Sequence, residues 1–255
     1  MPSRSGAKTL VESLVAEGVR TLFGIPGVDT LSVYDAFLDH PEIRAINVRH
    51  EQAAVFMADG FYRASGEVGV ALTSGGPGAL NTLTAMSTAN NDSSAVLHVL
   101  NDNPAAVRRK GRGYFHDISD QFGIFRPVTD FAQQAALPSE IPAAVHAAMH
   151  ALRSRRPRPA LVEIAGDAFK LDTDAPVLPK AKSERRQPDK ADVTRAAELI
   201  AKAKRPIIWA GGGVVSATRR RSSSSSPRSS ARRSFPRRRE KARCRATIRS
   251  MSVTG

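Results

Sequence analysis

What most restricts the fold of this chain is a regular alternation, from residue 1 to about 216, between short apolar runs and longer segments whose apolar residues recur every three or four positions. Short apolar runs flanked by helices bury all their side chains in a parallel sheet covered on both faces, so the alternation predicts a doubly wound, flavodoxin-like α/β domain. Within residues 6–17, Leu10, Val11 and Leu14 share one helical face and Gly18 supplies the stop. Strands are expected at 19–23, 43–48, 68–73, 95–100 and 160–164, and helices at about 51–64, about 78–90 and within 139–152. Residues 101–137, with Asn101-Asp102-Asn103-Pro104, Gly111 and Gly113, read as a long polar excursion over the sheet edge.

The pattern divides the chain. Residues 1–170 form the expected first domain, and the proline- and charge-rich stretch 171–190 reads as a linker. Residues 191–216 read as the first helix and strand of a second, incomplete α/β domain, ending at Gly211-Gly212-Gly213. Residues 217–255 then lose apolar periodicity and become an Arg/Ser-rich tail, too poor in apolar residues to offset the entropy of ordering. Two explanations of the tail stand: a natural disordered basic segment, or a reading-frame shift near Ala217. Codons chosen for Ser222–Phe235 and read one base earlier can encode an amphipathic helix followed by a buried strand, which is what a second domain needs there.

The net charge of +14 suggests nucleic acid only until it is located. The tail holds twelve Arg, one Lys and one Glu, leaving 25 basic against 23 acidic residues in 1–216. Nucleic-acid binding therefore rests on the tail alone, whose single aromatic, Phe235, offers little base stacking. No apolar run reaches the ~20 residues of a membrane span, no signal peptide is evident, and Cys244 is the only cysteine, so a cytoplasmic protein without membrane contact is expected.

Three loops carry candidate chemistry. Phe23-Gly24-Ile25-Pro26-Gly27 leaves a strand at the end where parallel sheets bind ligands. Arg49-His50-Glu51-Gln52-Ala53-Ala54 places a carboxylate at a strand-to-helix junction, followed by Met57-Ala58-Asp59-Gly60. Thr73-Ser74-Gly75-Gly76-Pro77-Gly78-Ala79-Leu80-Asn81 again joins strand to helix, so backbone N–H groups there could face a ligand. It lacks the Lys-Ser/Thr ending of a P-loop and the GxGxxG spacing.

In this order the three motifs resemble the N-terminal, pyrimidine-binding domain of thiamine diphosphate-dependent enzymes. More narrowly, they resemble the acetolactate synthase-like family, which includes benzoylformate decarboxylase and related 2-oxo acid decarboxylases and carboligases. The resemblance runs through residues 1–170 and weakly through 191–216. It implies that Glu51 hydrogen-bonds a ring nitrogen of the cofactor's aminopyrimidine and favours its imino form, whose nitrogen then takes the thiazolium C2 proton. It implies that Pro26, Gly27, Gly78 and Asn81 line the pyrimidine, and that Phe115 and His116 sit on a loop reaching toward substrate. Acetolactate synthases proper tend to carry Phe-Gln at 115–116 and Lys at the position of Asp130, so the product stays open.

In the family, diphosphate and Mg²⁺ are held by a separate C-terminal domain bearing Gly-Asp-Gly, and the site forms between subunits of a dimer or tetramer. Gly-Asp-Gly does not occur here, so half a site is expected and no turnover by this polypeptide alone. A non-catalytic subunit is the alternative. Some relatives bind FAD in the middle domain, and residues 191–216 argue neither way. His146 and His150 share a helix face at metal-ligand spacing but have no third ligand in view, so no metal site is assigned; His50 is expected to hold the junction beside Glu51.

Overall fold

In a computed structural model the described residues are 3–108, 110–182, 187–205, 207 and 211–214. The chain falls into two units, Met1–Trp209 and Ala210–Gly255. Of the second, the described residues make one turn, closed by Val214 N–H donating to the Gly211 carbonyl at 3.1 Å. The readings placed on 217–255, and most of the strand expected after Arg205, lie outside the described residues.

In the first unit the elements run β1 (Arg4–Ser5), α1 (Gly6–Ala16), β2 (Thr21–Gly24), α2 (Leu31–Ala36), β3 (Arg44–Asn47), α3 (Glu51–Ser65), β4 (Gly69–Thr73), α4 (Pro77–Leu80), α5 (Leu83–Asn91) and β5 (Val96–Asp102). They continue with α6 (Gln121–Phe125), β6 (Phe131–Ala135), α7 (Ile141–Ser154), β7 (Ala160–Ala165), β8 (Asp172–Thr173) and α8 (Lys190–Lys202). Six strands form one parallel sheet in the order β3-β2-β4-β5-β7-β6, while β1 and β8 pair antiparallel in a two-stranded ladder.

Strand alternation assigns side chains to two apolar layers. Leu22, Val70, Leu72, Leu97, Val99, Val162 and Ile164 pack with Leu10 and Leu14 of α1, Val33 of α2, and Val145 and Met149 of α7. The alternate positions Phe23, Ala71, Val96, Leu100 and Leu161 pack with Ala54, Val55 and Ala58 of α3, Met86 of α5 and Phe125 of α6. The α3 side is built largely from alanine, which lets that helix lie close to the sheet. A Cβ on Gly69 of β4 would run into the Ala58 backbone.

The structure differs from the sequence expectation in three places. The polar stretch 101–137 is not a structureless excursion: it contains α6 and β6, an edge strand paired only with β7. The helix expected at about 78–90 is broken between α4 and α5. There the Thr82 backbone N–H and Oγ1 both donate to the Ala79 carbonyl, at 3.0 and 2.7 Å, closing a tight turn in place of a continuing α-helix. Within the expected linker β8 pairs with β1 and Ala181 is tied down, while none of residues 174–180 is buried. Ala181 is buried, and its N–H donates to both oxygens of Glu17, at 3.1 and 3.2 Å. Arg153 completes that site, its guanidinium donating to Glu17 Oε2 and to the Glu17 carbonyl.

Candidate functional site

From β2 the chain passes to β3 on one side and returns to β4 on the other, so the sheet order reverses at β2. The loops leaving the carboxyl ends of β2 and β4 meet beside that reversal, Gly27 against Ser74, and the crevice at such a reversal is the usual place for a ligand in a sheet of this kind.

Glu51 is the first residue of α3, where the helix N-terminus favours an anion. His50 caps that helix, its Nδ1 accepting the Gln52 N–H at 3.2 Å. Asn81, just beyond α4, donates from Nδ2 to Glu51 Oε2 at 2.9 Å. The other oxygen faces a glycine: a Cβ placed on Gly78 would stand 3.4 Å from Glu51 Oε1 and 3.5 Å from Ser74 Cβ. A Cβ on Gly27 would collide with Ser74 Oγ. Gly27, Ser74, Gly78, Glu51 and Asn81 are therefore near neighbours, with the Ser74 side chain filling the place a side chain on Gly27 would take and a carboxylate oxygen beside Gly78. Pro26 is exposed beside Gly27.

The loop after β4 spends two of its amides inside the protein. Gly75 N–H donates to Asn101 Oδ1 at 3.0 Å, and Gly76 N–H donates to Gln121 Oε1 at 2.5 Å. These two are therefore not among the ligand-facing N–H groups that the sequence allows in residues 73–81. The reason is local: both groups are buried, and a buried N–H without a partner is costly. Gln121 also donates from Nε2 to the Asn101 carbonyl and to Glu163 Oε2, both at 3.0 Å, and Gln134 Nε2 donates to Glu163 Oε1 at 2.5 Å.

His116 packs its backbone on Gly76, where a Cβ would stand 2.5 Å from His116 Cβ and 2.6 Å from its carbonyl oxygen. Gly76 has φ 59° and ψ −126°, a conformation open only to glycine, and His116 itself has φ 62°. The His116 ring stacks on the exposed Phe115 ring at 3.7 Å, and its Nδ1 is buried with no hydrogen-bond partner among the described residues. The structure thus brings His116 to the glycine loop and leaves Phe115 at the surface. Asp130 pairs with Arg158 at 3.6 Å.

Behind the loop lies His98, fully buried in β5, with Nε2 2.9 Å from Thr73 Oγ1. Thr73 Oγ1 donates onward to the Ser74 carbonyl at 3.2 Å, so Nε2–H is the donor to Thr73 and Nδ1 keeps a bare lone pair. Burial pushes the His98 pKa down to about 3. Among the other histidines, His146 Nδ1 donates to Glu17 Oε1 at 3.0 Å, and His150 Nδ1 lies 3.2 Å from the Lys182 carbonyl. Among the described residues no three His, Cys, Asp or Glu side chains converge as metal ligands, and no helix is long and apolar enough to cross a membrane.

Sequence reasoning assigned no individual role to Ser74, His98, Asn101, Gln121 or Glu163. A signal existed for three of them. His98, Asn101 and Glu163 interrupt strands that are otherwise buried apolar runs, where a polar residue must find a partner.

Residues 4–124 match the family described as thiamine pyrophosphate enzyme, N-terminal TPP binding domain. The chain is 38% identical over 214 residues to a probable acetolactate synthase large subunit of Methanocaldococcus jannaschii, covering 81% of this chain and 36% of that protein. It is 38% identical over 210 residues to a probable 2-ketoarginine decarboxylase of Pseudomonas aeruginosa, covering 82% and 37%. To the acetolactate synthase isozyme 3 large subunit of Escherichia coli it is 37% identical over 218 residues, covering 83% and 38%. The chain spans just over a third of the length of these curated relatives.

Proposed function

Because the chain belongs to the thiamine pyrophosphate enzymes through their N-terminal TPP binding domain, we propose that its crevice supplies the pyrimidine half of a thiamine diphosphate site in a 2-oxo acid carboligase or decarboxylase. The observation that carries this reading is the Glu51–Asn81 pair set against Gly78. A flat heterocycle needs walls without side chains and one directional partner at its edge. Gly78 offers such a wall, and beside it Glu51 Oε1 offers the partner. Asn81 fixes the carboxylate by holding Oε2, which leaves Oε1 to share a proton with a ring nitrogen. His116, resting on Gly76, stands where it could meet a substrate carboxylate.

When bound, the cofactor supplies an electron sink for the carboxylate-bearing carbon of a 2-oxo acid. Two backbone donors of the loop are not open to an anion, because Gly75 and Gly76 have given theirs to Asn101 and Gln121. We assign diphosphate and Mg²⁺ to groups outside the crevice, which in a homo-oligomeric enzyme would come from a second domain. The relatives named a synthase and a decarboxylase leave both product classes within the proposal.

The test uses thiamine and thiamine diphosphate with the purified chain. Saturation transfer from protein methyl groups is expected to reach the pyrimidine protons of both, with affinities within about threefold of each other, and to vanish in Gly78→Val. Transfer that survives Gly78→Val, or that marks only the thiazolium, overturns the assignment. Decarboxylation of a 2-oxo acid by this chain alone overturns the half-site reading.

A further inference from the structure

We propose that Gln121 is a positioning residue: from within the core it sets the peptide of Gly76, and through Gly76 it sets the wall of the Glu51 crevice and the backbone of His116. This rests on the reading of the crevice as a cofactor site, and it concerns how the site is held in shape.

Gln121 opens α6 and is almost wholly buried, yet each end of its amide is used. Its Oε1 takes the Gly76 N–H at 2.5 Å, and its Nε2 gives to Glu163 Oε2 and to the Asn101 carbonyl at 3.0 Å each. The amide cannot turn over. If it flipped, Nε2 would face the Gly76 N–H, donor against donor, and Oε1 would face a carboxylate oxygen and a carbonyl. Glu163 is itself oriented by Gln134 Nε2 on its other oxygen. Asn101 ties the preceding peptide by accepting the Gly75 N–H. The loop after β4 is therefore set from below by side chains of β5, α6, β6 and β7.

The consequence reaches the crevice because Gly76 has no slack. Its conformation is open only to glycine, and His116 lies directly against its Cα. A rotation of the Gly75–Gly76 peptide would swing Gly78 relative to Glu51 and push on the His116 backbone at once. No ligand contact is needed from Gln121 for this. Glu163 and Gln121 sit far apart in sequence, and a pair selected only to fill space would be apolar at these depths.

The experiment measures amide exchange protection on the full chain by NMR, comparing unaltered protein with Gln121→Met and Gln121→Glu. Gln121→Met keeps the side-chain length but removes acceptor and donor. It is expected to lower Gly76 protection at least tenfold and to shift the His116 ring resonances, while Val70 and Leu72 of β4 keep theirs. A merely structural role would move all of these together. Gln121→Glu keeps the shape and serves if the Met variant does not fold. It faces Glu163 with a second carboxyl, so Gly76 protection is expected at acid pH, where the pair shares a proton, and its loss as pH rises. Unchanged Gly76 protection in both variants, or a loss equal to that of Val70 and Leu72, overturns the proposal. Failure of thiamine to bind the unaltered chain overturns the cofactor reading instead and leaves the exchange result to decide the positioning role.

Discussion

The buried His98 makes the stability of this domain depend on pH in a way that can be worked out beforehand. Its pKa is pushed down to about 3 by burial, against an ordinary value of 6.5. Between these values the unfolded chain binds a proton at this position and the folded chain does not, so stability is fully present above pH 6.5 and declines as pH falls toward 3. At the acid limit the gap corresponds to about 5 kcal/mol, and between pH 7.5 and 5 the linkage relation gives about 2 kcal/mol. The structure explains the sign. A second proton would put an N–H on Nδ1, which has no acceptor among the described residues, and would place a charge in the interior away from water. Urea unfolding of the chain at pH 7.5 and 5.0 measures the difference, and His98→Gln, which cannot titrate, should lose most of it while still reaching toward Thr73. If the unaltered protein is equally stable at the two pH values, or if His98→Gln keeps the same slope, the proposed burial of a neutral imidazole is wrong.

Three further outcomes follow from other parts of the fold. Glu17→Ala strips a buried carboxylate from Arg153, His146 and the Ala181 N–H and should cost about 3–5 kcal/mol, whereas Glu17→Gln, which keeps an acceptor, should cost distinctly less; equal urea midpoints for the two variants would contradict this. Gly69→Ala should destabilise by about 1–3 kcal/mol, because the new methyl meets the Ala58 backbone and not a movable side chain, and differential scanning calorimetry would show an unchanged Tm if α3 can simply retreat. Asp59→Asn removes the carboxylate that Arg63 grips at 2.9 Å within α3, a buried group on a partly exposed partner, and a loss of about 1–2 kcal/mol is expected in the same assay; no loss would mean that Asp92 alone satisfies Arg63.

The parts of this fold that could be read in the sequence are those in which a side chain's burial follows from its own periodicity. Leu10, Val11 and Leu14 were placed on the core face of α1 by spacing alone, and all three are fully buried. The edge strand β6 escaped because Phe131-Ala132-Gln133-Gln134-Ala135 carries two glutamines in place of an apolar run. It pairs on one side only, and Gln134 is kept there by Glu163 of the neighbouring strand. The break between α4 and α5 escaped for a similar reason: Thr82 is an ordinary helix residue until its hydroxyl takes the Ala79 carbonyl, a choice decided by a contact and not by composition.

The same distinction divides the candidate site. Glu51, Gly78 and Asn81 stand within nine residues of a strand end, so motif order was enough to suggest them, and the structure brings them together. The groups that hold the loop beneath them lie on four elements between residues 101 and 163, and no spacing rule connects Asn101, Gln121, Gln134 and Glu163. Yet their presence changes what the loop can do. Read as a sequence, a glycine-rich turn between strand and helix is a reservoir of N–H donors for an anion. With the buried side chains in place, two of those donors, on Gly75 and Gly76, are already spent on Asn101 and Gln121, and Gly78 stands beside the Glu51 carboxylate. On the proposed reading this loop would meet the flat face of a ring and leave charge recognition to other groups, and its shape would be set by residues that never touch the ligand.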